Sequence, residues 1–296
     1  MELLIAQIVN GLSLGSIYIL LVTGFNLLLL VAMIIHYSYP TVVVLSMYVA
    51  WIILGATGNS VPAALLAAAA SGVLFNVVTA PIFQRVTKKR GEVDINTTMI
   101  ISMGIGMVIT DFLSHSVNNG YPISFAGTPF AGGGTPFLRL GLISASKGQA
   151  LALGSGVVFV ALLFLLIYKT GVGRDFRAIA EDPNGARLVG IPVLKTGLLS
   201  YSITGLLGGV TAVLMALLLG SASPDLGDQF ARKVLAISII AGLGNLQGGL
   251  VVGLGLGILE AIIQGYLAGS WSNAISFAVM LVVILVKPKG IFGSKI

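Results

Sequence analysis

Two carboxylates, Asp111 and Glu260, fall inside apolar runs long enough to lie in hydrocarbon. An ionisable side chain is costly there and ordinarily faces a cavity or a partner. The sharpest chemistry open to such groups is ion coupling, with a carboxylate loading and releasing a proton or cation. Each acid nevertheless sits toward the outer half of its run, where water reaches. A structural hydrogen bond or a pathway-lining role is therefore the preferred reading of both. The two histidines, His36 and His115, lie far apart in the chain, and His36 alone reads as an interfacial, hydrogen-bonded side chain rather than a ligand. There is no cysteine, which excludes thiol catalysis, disulfides and Cys-ligated metals. No H-E-x-x-H, G-x-S-x-G or paired acidic metal motif is present. No catalytic residue, metal site or cofactor is expected, and a membrane-embedded enzyme is remote. A G-x-x-x-x-G-K-[ST] stretch is missing too, so the chain has no phosphate-cradling loop of that kind.

Polar residues interrupt the apolar runs at two places, His36 to Thr41 and Gly244 to Gly248. Unwound backbone of this kind can face a cavity, and paired interruptions point to a transporter's pathway. A short interfacial loop is the plain alternative for each. Asn10, His36, Tyr37, Asn245, Gln247 and Glu260 are the candidate lining residues. Between Gly173 and Gly190 the pattern becomes charged. Phe176, Ile179 and Ala180 share a helical face, with Arg174, Arg177 and Glu181 spread around it. Asp182 is placed to cap a second short helix, Pro183 to occupy its first turn and Gly190 to stop it. Two short amphipathic helices would make a rigid knob able to dock into another protein; the plain alternative is a solvated connector whose charges set topology. Gly249, Gly253 and Gly257 recur every four residues, a spacing that admits close approach of a neighbouring helix. Gly205, Gly208 and Gly209 suggest a similar contact.

These side chains need elements to hold them, and composition says what kind. Of 296 residues, 56% are hydrophobic and only 9% charged, against roughly a quarter charged in a soluble domain. That excludes a disordered chain, a collagen-like chain and an ordinary cytosolic enzyme. The fold class expected is all-α, a polytopic integral membrane bundle within a single domain over 1–296. Crossing about 30 Å of hydrocarbon takes about 20 apolar residues. The runs read as Leu3 to Ile34, Thr41 to Gly55, Pro62 to Phe83, Thr97 to Leu113, Ala150 to Tyr168, Gly197 to Gly220, Val234 to Leu243, Gly249 to Leu267 and Trp271 to Val286. That is about eight to nine membrane segments, some broken or re-entrant, all helical because unpaired backbone is not tolerated in lipid. The N-terminus carries an acid and no Lys or Arg, the wrong charge for a signal peptide, so the first run is expected to stay as a span.

The net charge of +6 would raise nucleic acid in a soluble protein. Here the basic residues cluster between apolar runs, at Arg85 to Arg90, at Lys169 to Lys195 and at Lys287 to Lys295. That is the pattern of membrane orientation, not of nucleic-acid binding. Placing all three clusters in the cytoplasm puts the N-terminus outside, the His36 break near the inner face, and Ser114 to Gln149 in an ordered extracytoplasmic loop.

Four stretches in register resemble the permease subunits of branched-chain amino acid ABC importers, the shorter of the two paired permeases most closely. Asn10 to Tyr18, continued by Gly24 to Leu27, is similar to that family's first helix. Gly173 to Gly190 looks like its cytoplasmic coupling loop, Lys233 to Glu260 like its late glycine-rich region, and Lys287 to Gly293 like its basic ending. One departure stands out: where the family usually has Asn-Phe-Ala-His/Gln-Gly-acid, this chain has His36 to Thr41, with Pro40 and Thr41 replacing the glycine and the acid. That leaves the cargo open. The resemblance implies two separate ATPase subunits, a second related permease in a heterodimer, an extracytoplasmic solute-binding protein, and a place among the lipids of a bacterial cytoplasmic (inner) membrane. It assigns coupling to Arg174, Phe176, Arg177, Ile179, Ala180, Glu181, Asp182 and Gly190, with Phe176, Ile179 and Ala180 as the docking surface and Arg177 and Glu181 orienting it. The competing function is an ion-coupled secondary transporter or channel using Asp111 or Glu260.

Overall fold

A computed structural model of the chain describes residues 2–89, 95–130, 136–140, 143–267, 271–287 and 290–292. Arg90, Lys289 and Lys295 of the basic clusters, and part of the Ser114 to Gln149 excursion, lie outside the described residues.

The apolar runs fold as helices: α1 (Glu2–Ala32), α2 (Tyr39–Ala56), α3 (Val61–Lys89), α4 (Ile95–Ser116), α5 (Lys147–Lys169), α8 (Val193–Leu219), α10 (Leu246–Tyr266) and α11 (Ser272–Val286). Two short helices, α6 (Gly171–Glu181) and α7 (Pro183–Leu188), fill the charged stretch, and α9 (Leu226–Ala241) precedes α10. Seven helices are long and apolar enough to cross a membrane among the described residues. The bundle is therefore all-α and polytopic. Two antiparallel strand pairs are appended to it, Ile123–Ser124 (β1) with Ser221–Ala222 (β4), and Pro136–Leu140 (β2) with Ile143–Ser146 (β3). Ser146 then caps α5 reciprocally with Gln149, each side chain bonding the other's backbone N–H, which fixes where the Ser114 to Gln149 excursion ends.

Glycines set the central packing. A Cβ on Gly257 would lie 2.3 Å from the backbone of Gly15, and one on Gly253 would lie 3.3 Å from that of Ile19. The four-residue spacing thus places α10 against α1 along one stripe, as the sequence suggests. Gly205 and Gly209 meet α3 at Gly72 and Ala68, whereas Gly208 meets Tyr39. The core they enclose runs through Tyr18, Leu21, Phe25, Val43, Met47, Val213 and Ile237.

Two helix starts differ from the sequence reading. The apolar run assigned from Val234 begins two turns earlier, at Leu226. Hydropathy stops at Lys233 because it scores the charge and not the partner that Lys233 finds inside. The break at His36, placed near the inner face, folds back into the bundle. Ile34, His36 and Ser38 are buried, and α2 begins where Tyr39 meets Gly208 and Ser38 meets Gly106. Those glycines lie near the middle of α8 and of α4, so α2 starts about halfway across. Non-helical backbone at such depth is tolerated when protein covers it. Here Ser102 accommodates it, its hydroxyl oxygen accepting the Ser38 N–H at 2.8 Å.

Candidate functional site

The second helix that starts at depth is α9. A Cβ on Gly227 would lie 2.6 Å from the Cα of Thr41, so the first turns of α2 and α9 touch. The chain returns from the outer end of α8 through β4 to reach this point. The second interruption read from sequence, at Gly244 to Gly248, is instead the turn between α9 and α10. Gly242 and Gly244 have positive φ there, and the Asn245 side chain caps α10 by accepting from Gly248 N at 2.8 Å. The true counterpart of the His36 break lies at Gly220 to Asp225, which the sequence reads only as the connection between two apolar runs.

From its start, α9 presents two unlike faces. Inward, Lys233 meets α1 and α10: its Nζ donates to Glu260 Oε1 at 2.5 Å and to the Tyr18 hydroxyl at 3.0 Å, while Tyr18 donates to Glu260 Oε2 at 2.5 Å. The side chains of Lys233 and Glu260 are 10% and 4% exposed. A carboxylate and an ammonium at that depth are tolerable only as a pair with their remaining valences occupied, and Tyr18 occupies one. One turn farther, Ser238 donates to Asn26, whose amide donates to the Asn245 carbonyl at 3.2 Å, so the same three helices are stapled twice.

Outward, Asp225, Asp228, Gln229 and Arg232 lie on the open face of α9. Arg232 pairs with Asp228, both side chains 49% exposed, and the Tyr37 hydroxyl donates to Asp228 Oδ1 at 3.2 Å. Inserting an Asp or Arg at the centre of a bilayer costs about 2.5–3.5 kcal/mol on translocon scales. A face carrying both is not a lipid face. Farther along, the same face becomes apolar with Leu235, Ala236 and Ile239, all half-buried.

The charged stretch folds as a hairpin of the two short helices expected of it, α6 and α7. Asp182 caps α7, accepting from Asn184 N at 2.9 Å, Pro183 occupies the first turn, and Gly190 with φ +88° follows its end. Its apolar face points the other way from the expectation, however. Phe176 and Ile179 are 0% and 1% exposed; Phe176 packs with Leu27, Val31, Leu163 and Leu246 of the bundle. Ala180 is half-buried. An amphipathic helix beside its own apolar bundle buries its stripe there first, so Phe176 and Ile179 present no exposed surface for the docking expected of them. Arg177 reinforces the seat: it donates to the Ile167 carbonyl and lies 5.5 Å from the centre of the Tyr168 ring. The exposed side carries Arg174, Glu181, Asp182 and Arg187, and Leu188 and Val189 stand 89% and 77% exposed. Beneath it, between the inner end of α1, Phe83 and the start of α8, lies an open hollow of about 700 Å³ that includes Arg187 and Lys195.

The remaining candidates do not converge on one channel. Asn10 accepts from Gln149 Nε2 at 2.5 Å and donates to Gln7 at 3.4 Å, tying α1 to α5. His36 is buried between Phe83 and Tyr201, with ring centroids 5.0 Å and 6.1 Å away. Gln247 is exposed and reaches Tyr168 at 3.5 Å. Asp111 is 76% exposed beside His115. Of the six candidate lining residues, only Tyr37 and Glu260 meet charged side chains. Sequence reasoning missed Lys233, Tyr18, Asp228 and Arg232. The signal for Lys233 was a cation at the border of an apolar run in a chain that carries an acid, Glu260, inside the next one.

A profile of the family described as branched-chain amino acid transport system / permease component matches residues 7–284. The high-affinity branched-chain amino acid transport system permease protein BraD of Pseudomonas aeruginosa is 28% identical over 97% of this chain and 95% of its own length. The corresponding protein LivH of Escherichia coli K12 is 28% identical over 97% of this chain and 94% of its own. Among solved structures, PsaBC from Streptococcus pneumoniae in complex with Fab is similar with a TM-score of 0.46 at 16% identity, covering 97% of this chain and 91% of that one. With helices of this number and length, and with the family profile spanning all but the two ends of the sequence, the chain belongs to the permease components of branched-chain amino acid transport systems.

Proposed function

We propose that this permease is the membrane subunit of an ATP-driven importer for a branched-chain amino acid or a related small solute, acting as one domain in a bacterial inner membrane. A binding protein delivers solute on the outer side, a second related permease completes the pathway, and two ATPase subunits act on the α6–α7 hairpin. The observation that carries this reading is the build of the hairpin. Its inner face is fixed to the bundle by Phe176, Ile179 and Arg177, while Leu188 and Val189 stand free at its tip. Apolar side chains held out by a rigid support are what a partner's pocket takes up. Force applied at the tip passes through α6 into the inner ends of α1, α5 and α10, which a two-state rocking of the helices requires.

The ion-coupled alternative gains no support from the geometry, since Glu260 is already matched by Lys233 and Asp111 pairs with His115 on an exposed surface. The importer reading is tested with Leu188→Asp and Val189→Asp together. Both sites are exposed, so the chain still folds, and the expected result is loss of ATPase co-purification and of uptake. Unchanged assembly and unchanged uptake would reject the role of the hairpin tip.

A further inference from the structure

The open face of α9 poses a question that the importer reading alone does not answer. α2 and α9 both begin partway across the bundle, their first turns in contact through Thr41 and Gly227. At that junction Tyr37 donates to Asp228, and Asp228 pairs with Arg232, both charged side chains about half exposed. A carboxylate and a guanidinium side by side at hydrocarbon depth need water or a polar occupant in front of them. Helices that begin inside a membrane protein also aim their positive N-terminal ends at such an occupant.

We propose that Tyr37, Asp228 and Arg232 form a solute-binding site for the charged head of a zwitterionic α-amino acid. The solute ammonium sits on the Asp228 carboxylate with the Tyr37 phenol oxygen accepting a further hydrogen bond, and the solute carboxylate takes the Arg232 guanidinium. Charge complementarity selects the class. An Arg–Asp pair offers one site of each sign a few ångströms apart, which is the mirror of an α-ammonium and α-carboxylate; a solute of a single charge would have to part the pair to use one member, whereas a zwitterion can engage both. The chain of contacts continues past the head. One helical turn beyond Arg232 the same face carries Leu235 and Ala236, and Ile239 follows, so an aliphatic side chain finds apolar surface where the solute head is held. The neighbouring permease closes the site from the opposite side. The inference rests on the importer reading and names the residues that recognise its cargo.

The test uses the complete importer, with this chain, its second permease, its ATPase pair and its binding protein, reconstituted into proteoliposomes. ATP-driven uptake of radiolabelled leucine is measured beside co-purification of the components. Asp228→Asn and Arg232→Gln are each expected to lower uptake at least tenfold in assembled complexes. Tyr37→Phe, which removes a single hydroxyl, is expected to lower it about threefold. Exchanging the charges, Asp228→Arg with Arg232→Asp, restores an ion pair but presents it reversed to Tyr37, and uptake is expected to stay low. Full uptake in the neutralised variants overturns the site. So does wild-type uptake in the exchanged variant, which would assign the pair to holding α9. Failure of the neutralised variants to assemble, with full uptake by Tyr37→Phe, also overturns it and gives the pair to the contact between permeases. A wild-type complex that takes up no leucine and no other zwitterionic amino acid strikes the importer reading itself, a different result from a wild-type complex that transports and variants that transport equally well.

Discussion

Removing the Glu260 charge while keeping its shape, as in Glu260→Gln, leaves the Lys233 ammonium buried against Tyr18 with no counter-charge. Both side chains of the pair are almost wholly enclosed, so water cannot replace the lost partner. Breaking a buried pair from one side costs about 3–5 kcal/mol, whereas replacing both members with apolar residues of similar volume is often neutral. Glu260→Gln and Lys233→Met should therefore each destabilise the chain by about 3–5 kcal/mol, and the double variant Lys233→Met with Glu260→Leu, which leaves only the Tyr18 hydroxyl unpaired, by no more than about 1–3 kcal/mol. Tyr18→Phe removes one hydrogen bond to a charged group and should cost about 1.5–3 kcal/mol. Equilibrium unfolding of the purified chain in mixed micelles measures all four. The same cycle separates a structural pair from an ion carrier. A carrier carboxylate would tolerate Glu260→Gln in stability and lose only transport. Glu260→Gln with an unchanged unfolding free energy, or a double variant as unstable as the two singles summed, would refute the argument.

Arg177→Ala should loosen the hairpin without unfolding the bundle, because it removes the bond to the Ile167 carbonyl and the cover over Tyr168; a loss of about 1.5–3 kcal/mol of local stability should appear as faster amide exchange across residues 171–190. Gly257→Ala places a Cβ 2.3 Å from the Gly15 backbone and should cost about 1–3 kcal/mol by overpacking, whereas Gly255→Ala, with nothing within 4 Å of the added carbon, should be neutral in the same unfolding assay. Asn26→Leu leaves Ser238 and the Asn245 carbonyl without the amide that joins them; it should destabilise by about 1–3 kcal/mol in the same assay.

Arg232 and Lys233 show why some of this was legible in the sequence and some was not. Apolar runs fix that the chain forms membrane helices, because hydrocarbon leaves no other way to satisfy the backbone. The stripe of Gly249, Gly253 and Gly257 was readable for a similar local reason, since a spacing of four defines one side of a helix whatever lies opposite. Asp182, Pro183 and Gly190 marked the hairpin because caps and stops act within a few residues. Adjacent cations are a different matter. A hydropathy window scores Arg232 and Lys233 alike, yet successive residues on a helix point about 100° apart. That rotation turns one toward Glu260, far along the chain, and the other toward Asp228 and the open space before Tyr37. Phe176 failed in the same way: its stripe was visible, but not whether a partner or the bundle covered it. Local signals in this protein specify that a face exists, and long-range contacts decide which surface it meets. The two faces of α9 therefore have separable roles. Disrupting the inner one is expected to unfold the junction of α1, α9 and α10, and disrupting the outer one to leave that junction standing while cargo recognition fails.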